Sequence, residues 1–348
     1  MLDKVDFNDI EVTQEWDKIF PKSNKVNNKK VIFKNRYGIT LVGDLYTPKD
    51  KKSEKLSAIV ICGPFGAVKE QASGFYAQIM AERGFITLAF DPSYTGESSG
   101  EPRHLASPEI NTEDFSAAID FLGLQSDVNR DSIGVIGICG FGGMALSVTA
   151  MDTRIKAVAT TVMYDMSRAM GHGVGFGKDR YDLVQRKAVL NYLNKKRWID
   201  AENGFFDTEN HDIYVLDNGD VVAEKTILPE SLPENPNPVL KDFYNYYRTK
   251  LGYHKNSVNS TGAWNATMPL SFMNFPLLTY ISEISPRPIL IVAGEKAHSL
   301  YFSQDAYKAA SELKELVIIP EATHVDLYYD VNKIPFDKLE IFFNNNLK

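Results

Sequence analysis

The stretch I-G-V-I-G-I-C-G-F-G-G-M-A, residues 133–145, decides the fold. An apolar run suited to a buried strand ends in a glycine-dense turn and passes directly into an Ala/Met/Leu helix. This order is typical of a sharp elbow at the carboxyl edge of a parallel sheet, with a nucleophile at its tip. Cys139 is the residue at the tip. A thiolate there would be stabilised by the dipole and free N–H groups of the following helix.

Two other interpretations of this stretch remain open. Cys139 is also the kind of residue found as a small buried hydrophobe at a packed turn. Gly140, Gly142 and Ala145 spell G-x-G-x-x-A, and Asp165 follows about 20 residues on, as in a dinucleotide fingerprint. That fingerprint usually opens a βαβ unit, whereas several sheet elements precede it here. The elbow itself requires small neighbours, a condition that Gly137 meets and Phe141 does not.

Outside this stretch, short apolar runs bounded by turns alternate with helical segments. The first two strands are joined by N-R-Y-G, which predicts a hairpin. The predicted strands are 31–33, 39–46, 58–62, 85–90, 133–137, 157–163, 288–293 and 315–319. The predicted helices are 71–83, 112–124, 140–151, 303–313 and 335–345. Because such runs suit strands buried on both faces, the alternation predicts an α/β fold with a mostly parallel sheet flanked by helices.

This alternation stops between residues 167 and 282. The segment contains a helical run at 181–198, a hairpin pattern with its turn at Asn218 and Gly219, a group of prolines and an aromatic helical run at 243–251. Asn-Gly between alternating runs is a good local signal for a hairpin. We therefore predict an α/β core formed by residues 1–166 and 283–348, with residues 167–282 inserted as a mainly helical cap.

The composition excludes several classes of protein. The 348 residues include 38 Lys and Arg against 45 Asp and Glu, a formal charge of −7, which does not favour nucleic acid as a partner. Cys62 and Cys139 are the two cysteines, too few for a disulfide framework, and indicate a reducing compartment. The N-terminus has no secretory pattern, and no run approaches 18 apolar residues. We expect a soluble cytoplasmic protein that does not bind membranes.

The general base is predicted from its position in the chain. His324 follows the last predicted strand and precedes the last helix, which fits the order nucleophile, acid, histidine. An imidazole can accept a thiol proton and return it to a leaving group near neutral pH. The alternative is a solvated loop histidine with no role in catalysis.

The acid is harder to assign. The loop A-G-E-K-A-H-S, residues 293–299, contains one carboxylate, Glu295, which we predict to orient His324. In many such loops the acid follows the glycine by three residues, and that position is Ala297. Asp165 is therefore kept as an alternative acid, and His298 as a pocket residue.

Two backbone N–H groups are predicted to form an oxyanion hole. One belongs to Gly140, immediately after the nucleophile, and the other to Phe65, in the turn C-G-P-F-G-A-V-K-E-Q at residues 62–71. The alternative is that this glycine-rich segment makes only a tight turn. Glu70 is expected to hydrogen-bond Cys139 or to hold the turn. Tyr94, in D-P-S-Y-T-G-E-S, is expected to line the same edge.

Four motifs together carry a family resemblance. They are P-F-G-A-V-K-E-Q (64–71), F-D-P-S-Y-T-G-E-S-S-G-E-P-R (90–103), G-I-C-G-F-G-G (137–143) and A-G-E-K-A-H-S (293–299). With them the chain resembles the α/β-hydrolase superfamily and, within it, the dienelactone-hydrolase-like branch that uses cysteine. More closely, it is similar to a group of bacterial hydrolases and fungal polyketide transferases. Two departures are Phe141, where the family has a small residue, and Gly63, where a histidine often precedes the proline. We expect Phe141 to crowd the site or to form part of the acyl pocket.

The resemblance implies an α/β-hydrolase fold and a triad of Cys139, His324 and a carboxylate. We expect hydrolysis of an ester, lactone or thioester of a small-molecule acyl substrate through an acyl-Cys139 intermediate, with no metal or cofactor. The alternatives are acyl transfer, as in a polyketide transferase, and a non-catalytic binding protein that kept the fold. A homo-oligomer is compatible with each of these three functions. Aromatic residues are expected to line an acyl pocket or to form the core of the cap: Tyr164, Trp198, Tyr246, Tyr247 and Trp264.

Overall fold

The computed structural model describes residues 12–51 and 53–348, and its centre is an eight-stranded sheet. The strands are β1 Val26–Lys34, β2 Thr40–Pro48, β3 Leu56–Cys62, β4 Ile86–Phe90, β5 Val128–Ile138, β6 Ile155–Thr161, β7 Thr208–Glu209, β8 Ile213–Val215, β9 Val221–Ala223, β10 Trp264–Asn265, β11 Ile289–Gly294 and β12 Lys314–Ile319. Across the sheet the order is β1-β2-β4-β3-β5-β6-β11-β12.

The strand directions confirm the predicted mostly parallel sheet. β2 runs antiparallel to both of its neighbours, β1 and β4, and every other neighbouring pair in the sheet is parallel. The predicted hairpin joins β1 to β2, and Gly38 adopts φ +79° in its turn, a conformation that glycine enters without steric cost. The chain therefore begins the sheet with a hairpin and completes it through crossover connections.

Helices cover both faces of this sheet. They are α1 Ala72–Glu82, α2 Pro108–Gly123, α3 Gly140–Met151, α4 Met166–His172, α5 Leu183–Asn203, α6 Pro238–Tyr247, α7 Val258–Thr261, α8 Pro269–Met273, α9 Leu300–Ala309, α10 Asp326–Tyr329 and α11 Phe336–Asn346, with a 3-10 turn at Ile281–Ile284. Helices α2 and α3 pack on one face and α1 and α11 on the other.

Strand β3 illustrates why the sheet strands are apolar throughout. Val60 and Cys62 point into the cluster that contains α2 and α3, whereas Ile59 and Ile61 point into the cluster on the opposite face. Burying one such aliphatic side chain stabilises the fold by about 1.5–3 kcal/mol. A strand covered on both faces therefore needs a continuous apolar run rather than an alternating pattern.

The segment 167–282 adds no described strand to the eight-stranded sheet. It contains two separate two-stranded ladders, β7 with β10 and β8 with β9, and most of its remaining regular structure is helical. The predicted turn at Asn218 and Gly219 joins β8 to β9, with Gly219 at φ +87°. Among the described residues, no helix combines the length and apolar character that a membrane crossing requires.

Two helices of this segment differ from the predicted boundaries. Helix α5 begins after a capping box made by Asp182 and Gln185 and runs past residue 198, ending at Gly204 in the left-handed conformation. Helix α6 begins at Pro238, where Asn237 accepts a hydrogen bond from the Leu240 N–H, five residues before the predicted start. The aromatic pattern beginning at residue 243 marked only the second half of α6, because its first turn is specified by the cap.

Candidate active site

Cys139 lies at the elbow between β5 and α3. Its backbone has φ +56° and ψ −127°, a strained conformation for a residue with a side chain. Its N–H donates to the Thr161 carbonyl at 3.0 Å, and its carbonyl accepts from the Tyr164 and Gly142 N–H groups at 2.9 Å. These bonds tie the elbow to the end of β6. The predicted strand-elbow-helix geometry is confirmed.

The elbow is crowded by backbone, which explains the glycines around it. A Cβ on Gly137 would lie 2.4 Å from the Phe141 carbonyl oxygen and 2.6 Å from the Ala145 Cβ. A Cβ on Gly63 would lie 2.2 Å from the Ile138 carbonyl oxygen. A histidine in place of Gly63 would therefore collide with the elbow unless the backbone moved.

Phe141 packs in the core beneath the site. It is almost fully buried, with its ring centroid 6.2 Å from that of Phe65 and 6.1 Å from that of Phe115. The expectation that a large residue after the elbow would crowd the nucleophile or form part of the pocket is corrected: the side chain packs inward, among the residues that cover the sheet. There it supports the ring of Phe65.

The Cys139 thiol faces three hydrogen-bond donors. The backbone N–H groups of Phe65 and Gly140, predicted as oxyanion donors, and the Tyr328 hydroxyl lie around Sγ. Burial raises the pKa of the Cys139 thiol, and these three donors act in the opposite direction. The thiol therefore rests in its neutral form, with donors already aimed at the position of developing negative charge.

His324 is buried beside this thiol and both of its ring nitrogens are engaged. Nδ1 lies 2.6 Å from the Ser299 Oγ and Nε2 lies 2.8 Å from the Tyr328 Oη. Burial lowers the pKa of His324 well below its usual value, and nearby His298 lowers it further. The imidazole is therefore neutral at rest and available to accept a proton.

The predicted acids are not the partners of His324. Glu295 is exposed, and its Oε2 accepts a hydrogen bond from the Glu321 N–H at 3.0 Å. Asp165 caps helix α4, where its Oδ1 accepts from the Arg168 N–H at 3.1 Å and from the Ser167 hydroxyl. Both assignments are corrected, because the turn of the A-G-E-K-A-H-S loop brings Ser299 to Nδ1 instead.

Aromatic rings surround His324. The ring centroids of Tyr164 and His298 lie 5.1 Å from it and that of Phe243 lies 5.6 Å away. The Tyr164 hydroxyl hydrogen-bonds Nε2 of His298, and burial lowers the pKa of His298 to about 4. His298 therefore lies beside the catalytic candidates, where it was expected as a pocket residue, and it is neutral.

The wall beside Phe65 is also aromatic. Trp264 stacks on Phe65 at 4.5 Å between ring centroids, and His211 meets Phe65 edge-on at 5.6 Å. Tyr246 and Tyr247 are buried and pack against Tyr328. Trp198 lies on the surface with 72% of its area exposed, so its place among the expected pocket or cap-core aromatics is corrected.

Glu70 and Tyr94 belong to structural turns rather than to the thiol's surroundings. Glu70 pairs with the Lys69 ammonium group at 2.6 Å. Tyr94 adopts φ +75° and its ring packs so closely over Gly100 that a Cβ there would lie 2.6 Å from it. Of the roles expected for Glu70, holding the turn agrees with this geometry, whereas the hydrogen bond to Cys139 is corrected. That Tyr94 lines the site stays a prediction.

The same region contains the one group of acids, among residues 12–51 and 53–348, that is close enough to hold a metal ion. Carboxylate oxygens of Asp17, Glu70 and Glu97 lie within 4.8 Å of one another. The Lys30 ammonium group lies 3.0 Å from Asp17 and 2.7 Å from Glu97, and that of Lys69 lies 2.5 Å from Glu97. The lysines thus supply the positive charge that a cation would bring.

Two residues of the site were missed in the sequence. Ser299 ends the A-G-E-K-A-H-S motif, where the family pattern leads one to expect a carboxylate rather than a hydroxyl as the partner of the histidine. Tyr328 follows His324 by four residues, a spacing that places two side chains on one face of a helical turn. That spacing was the available signal for Tyr328.

Comparisons with known proteins agree with this architecture. The family model described as X-Pro dipeptidyl-peptidase (S15 family) matches residues 37–210. The Pseudomonas aeruginosa protein PA2218 is 56% identical over 338 residues, covering 97% of this chain and 86% of the relative. The crystal structure of PA2218 superposes on this chain with a TM-score of 0.89, and the alignment covers 97% of this chain and 99% of the PA2218 chain.

More distant matches bear on the fold and on part of the chain. The thiohydrolase aneE of Aspergillus aculeatus is 32% identical over 121 residues, 35% of this chain and 37% of the relative. The α/β hydrolase GrgF from Penicillium sp. sh18 has a TM-score of 0.71 at 20% identity, covering 92% of this chain and 99% of that one. The predicted α/β-hydrolase fold is confirmed, whereas membership of the dienelactone-hydrolase-like branch stays a prediction.

Proposed function

The chain belongs to the X-Pro dipeptidyl-peptidase (S15) family, and from this premise we propose that it hydrolyses an activated acyl bond, a thioester or ester, through an acyl-Cys139 intermediate. The observation that carries the proposal is the surroundings of the thiol. Two backbone N–H groups lie beside Sγ, and a buried neutral histidine hydrogen-bonds the Tyr328 hydroxyl that also lies beside it. A nucleophile, a base and donors for an oxyanion therefore meet at one elbow.

In the first half-reaction, the Cys139 proton passes to His324 and the thiolate attacks the acyl carbon. The negative charge that develops on the acyl oxygen is stabilised by the N–H groups of Phe65 and Gly140. When the tetrahedral intermediate collapses, the bond to the leaving group breaks and the imidazolium of His324 returns the proton to it. The acyl group is then held on Cys139 as a thioester.

In the second half-reaction, a water molecule gives a proton to His324 and attacks the acyl-Cys139 carbonyl. The same two N–H groups stabilise the second oxyanion. Collapse releases the carboxylic acid and restores the neutral thiol and imidazole. Each proton taken by His324 is returned within the half-reaction, so the cycle is balanced without a metal or a redox group.

The partner of His324 indicates which bond the site favours. A carboxylate at Nδ1 would balance the charge of the imidazolium, whereas the Ser299 hydroxyl is neutral and offers only a hydrogen bond. An amine must be protonated strongly to leave, but a thiolate leaves with little help. The Ser299 contact therefore favours thioesters and activated esters over amides. The relative aneE is named a thiohydrolase, which points in the same direction.

A set of substrates that share one acyl group tests this proposal. We expect hydrolysis of the acyl thioester and of the p-nitrophenyl ester, with the matching p-nitroanilide slower by about 10³-fold or more, because weak acid catalysis at the leaving group costs an amide most. Release of thiol, nitrophenol or nitroaniline gives the three rates. An X-Pro p-nitroanilide serves as the peptidase comparison. Cleavage of that dipeptide anilide as fast as the thioester, or no cleavage of any acyl substrate, would contradict the proposal.

A further inference from the structure

Tyr328 lies between the proposed nucleophile and the proposed base. It occupies the short helix α10, four residues after His324, and its side chain is fully buried. Its Oη is 2.8 Å from the His324 Nε2, and the Cys139 thiol lies beside the same hydroxyl. The described hydrogen bonds of the imidazole go to Tyr328 and Ser299, so the path from thiol to base runs through the tyrosine hydroxyl.

We propose that Tyr328 is a catalytic residue whose hydroxyl relays the proton between Cys139 and His324. The inference rests on the proposed function for the identity of the nucleophile and base. The thiol proton moves to the Tyr328 oxygen while the Tyr328 proton moves to Nε2 of His324. One S–H and one O–H bond break, and one O–H and one N–H bond form. The products are a thiolate, an imidazolium and an unchanged neutral tyrosine.

The surroundings of Tyr328 favour concerted exchange over a tyrosinate intermediate. Burial raises the pKa of Tyr328 well above its usual value, and the neighbouring Cys139 and Tyr247 raise it further. Of the other titratable groups around its hydroxyl, His324 has a lowered pKa, while those of Tyr247 and Tyr164 are raised well above their usual values, chiefly by burial. In a concerted exchange the tyrosine stays neutral throughout. This suits the apolar setting, because an isolated tyrosinate there would be costly.

The ring contacts hold the hydroxyl in place. Phe243, Tyr246 and Tyr247 pack around Tyr328, with ring centroids 6.4, 5.4 and 6.3 Å away. Packing against three rings leaves the Tyr328 ring few orientations, so its hydroxyl is held in position for proton transfer.

The test is Tyr328→Phe, read by the alkylation of Cys139. The variant keeps the ring and removes only the hydroxyl. We measure the rate at which iodoacetamide modifies Cys139 from pH 5 to 10 by peptide mass spectrometry, a readout that requires no substrate. Without the relay, the rate at neutral pH should fall about 10- to 100-fold, the value of a hydrogen bond to a charged group, and the midpoint of the profile should move to higher pH.

The matched control is Tyr46→Phe, at a fully buried tyrosine on β2 outside the site. The Tyr46 hydroxyl is buried without a hydrogen-bond partner among the described residues, so its removal should leave the alkylation profile unchanged. Cys62, fully buried on β3, is the internal control, since its modification would report unfolding. In the Tyr328→Phe background, His324→Ala should change the rate by less than about 2-fold, because both residues act in one path.

A Tyr328→Phe profile equal to or faster than that of the native protein would overturn the relay and make Tyr328 a plug over the thiol. A second measurement does not depend on any variant. Mixed H₂O and D₂O should give a curved dependence of kcat on deuterium content, since two protons move together, and a linear dependence would also overturn the proposal. Because alkylation needs no substrate, its result is separable from failure of the proposed hydrolase activity.

Discussion

Cys139→Ala is expected to lower kcat/KM toward thioester and ester substrates by about 10⁴-fold or more. The substitution removes the atom that forms the covalent intermediate, and loss of a nucleophile in comparable enzymes costs this much because the remaining groups act only as a unit. Alanine has a Cβ like cysteine, so the strain of φ +56° at the elbow is unchanged. Hydrolysis of the matched acyl substrates by the purified variant gives the value.

The second cysteine provides the control. Cys62 is buried at the end of β3, where its Sγ contacts the Phe90 carbonyl at 3.6 Å, and burial raises its pKa well above the usual value. Cys62→Ala should lower the free energy of unfolding by about 1 kcal/mol, a typical loss for a small buried group, and leave kcat/KM within about 2-fold. Cys139→Ala that retains activity within about 10-fold of native would show that the nucleophile is another residue.

Lys69→Met is expected to lower the free energy of unfolding by about 3–5 kcal/mol, the usual cost of removing one partner from a buried ion pair. The fully buried Lys69 Nζ lies 2.8 Å from Asp91, 2.6 Å from Glu70 and 2.5 Å from Glu97. Methionine nearly matches its length but leaves these carboxylates without their nearest ammonium group. Chemical denaturation at neutral pH measures the loss.

The control for Lys69 is a lysine that belongs to an ion pair on the surface. Lys296 pairs with Glu321, and both side chains are mostly exposed. Lys296→Met should change the free energy of unfolding by less than about 1 kcal/mol, because exposed ion pairs contribute little. If Lys69→Met costs no more than Lys296→Met, the buried cluster does not hold the turn, and the stability of the segment that bears Phe65 must have another source.

The cluster around Lys69 connects stability to the site. The Lys69 N–H donates to the Asp91 carboxylate at 2.8 Å, and the Ile19 N–H donates to the Glu70 carbonyl at 3.1 Å. These bonds fix the segment directly after Phe65. The motif P-F-G-A-V-K-E-Q therefore serves two purposes: one residue offers an N–H to the thiol, and the charged residues anchor the turn that aims it.

Local patterns predicted the parts of the molecule that depend on neighbours in sequence. The sheet strands were visible as apolar runs because both faces of the sheet are covered, and the elbow was visible because Gly137 has no room for a side chain. Helix α3 has the predicted bounds. His324 was placed correctly beside the elbow because the loops after parallel strands all open at one edge of the sheet.

The partners of these residues depend on contacts across the fold and were not predicted. Glu295 is the one carboxylate in its loop, but the direction of a loop side chain is set by the turn, and that turn brings Ser299 to His324. The approach of Glu70 to Lys30 was not predicted, because Lys30 lies on β1, far away in sequence. Residue spacing cannot reveal such pairs.

The central claim, a covalent acyl intermediate on Cys139, is tested most directly by its mass. Native protein in excess is mixed with a thioester substrate, quenched in acid within milliseconds to seconds, and analysed intact and after digestion. We predict a transient increase equal to the mass of the acyl group, located on the peptide that contains Cys139. Turnover with an unmodified Cys139 at every time, or an acyl group on another residue, would contradict the account.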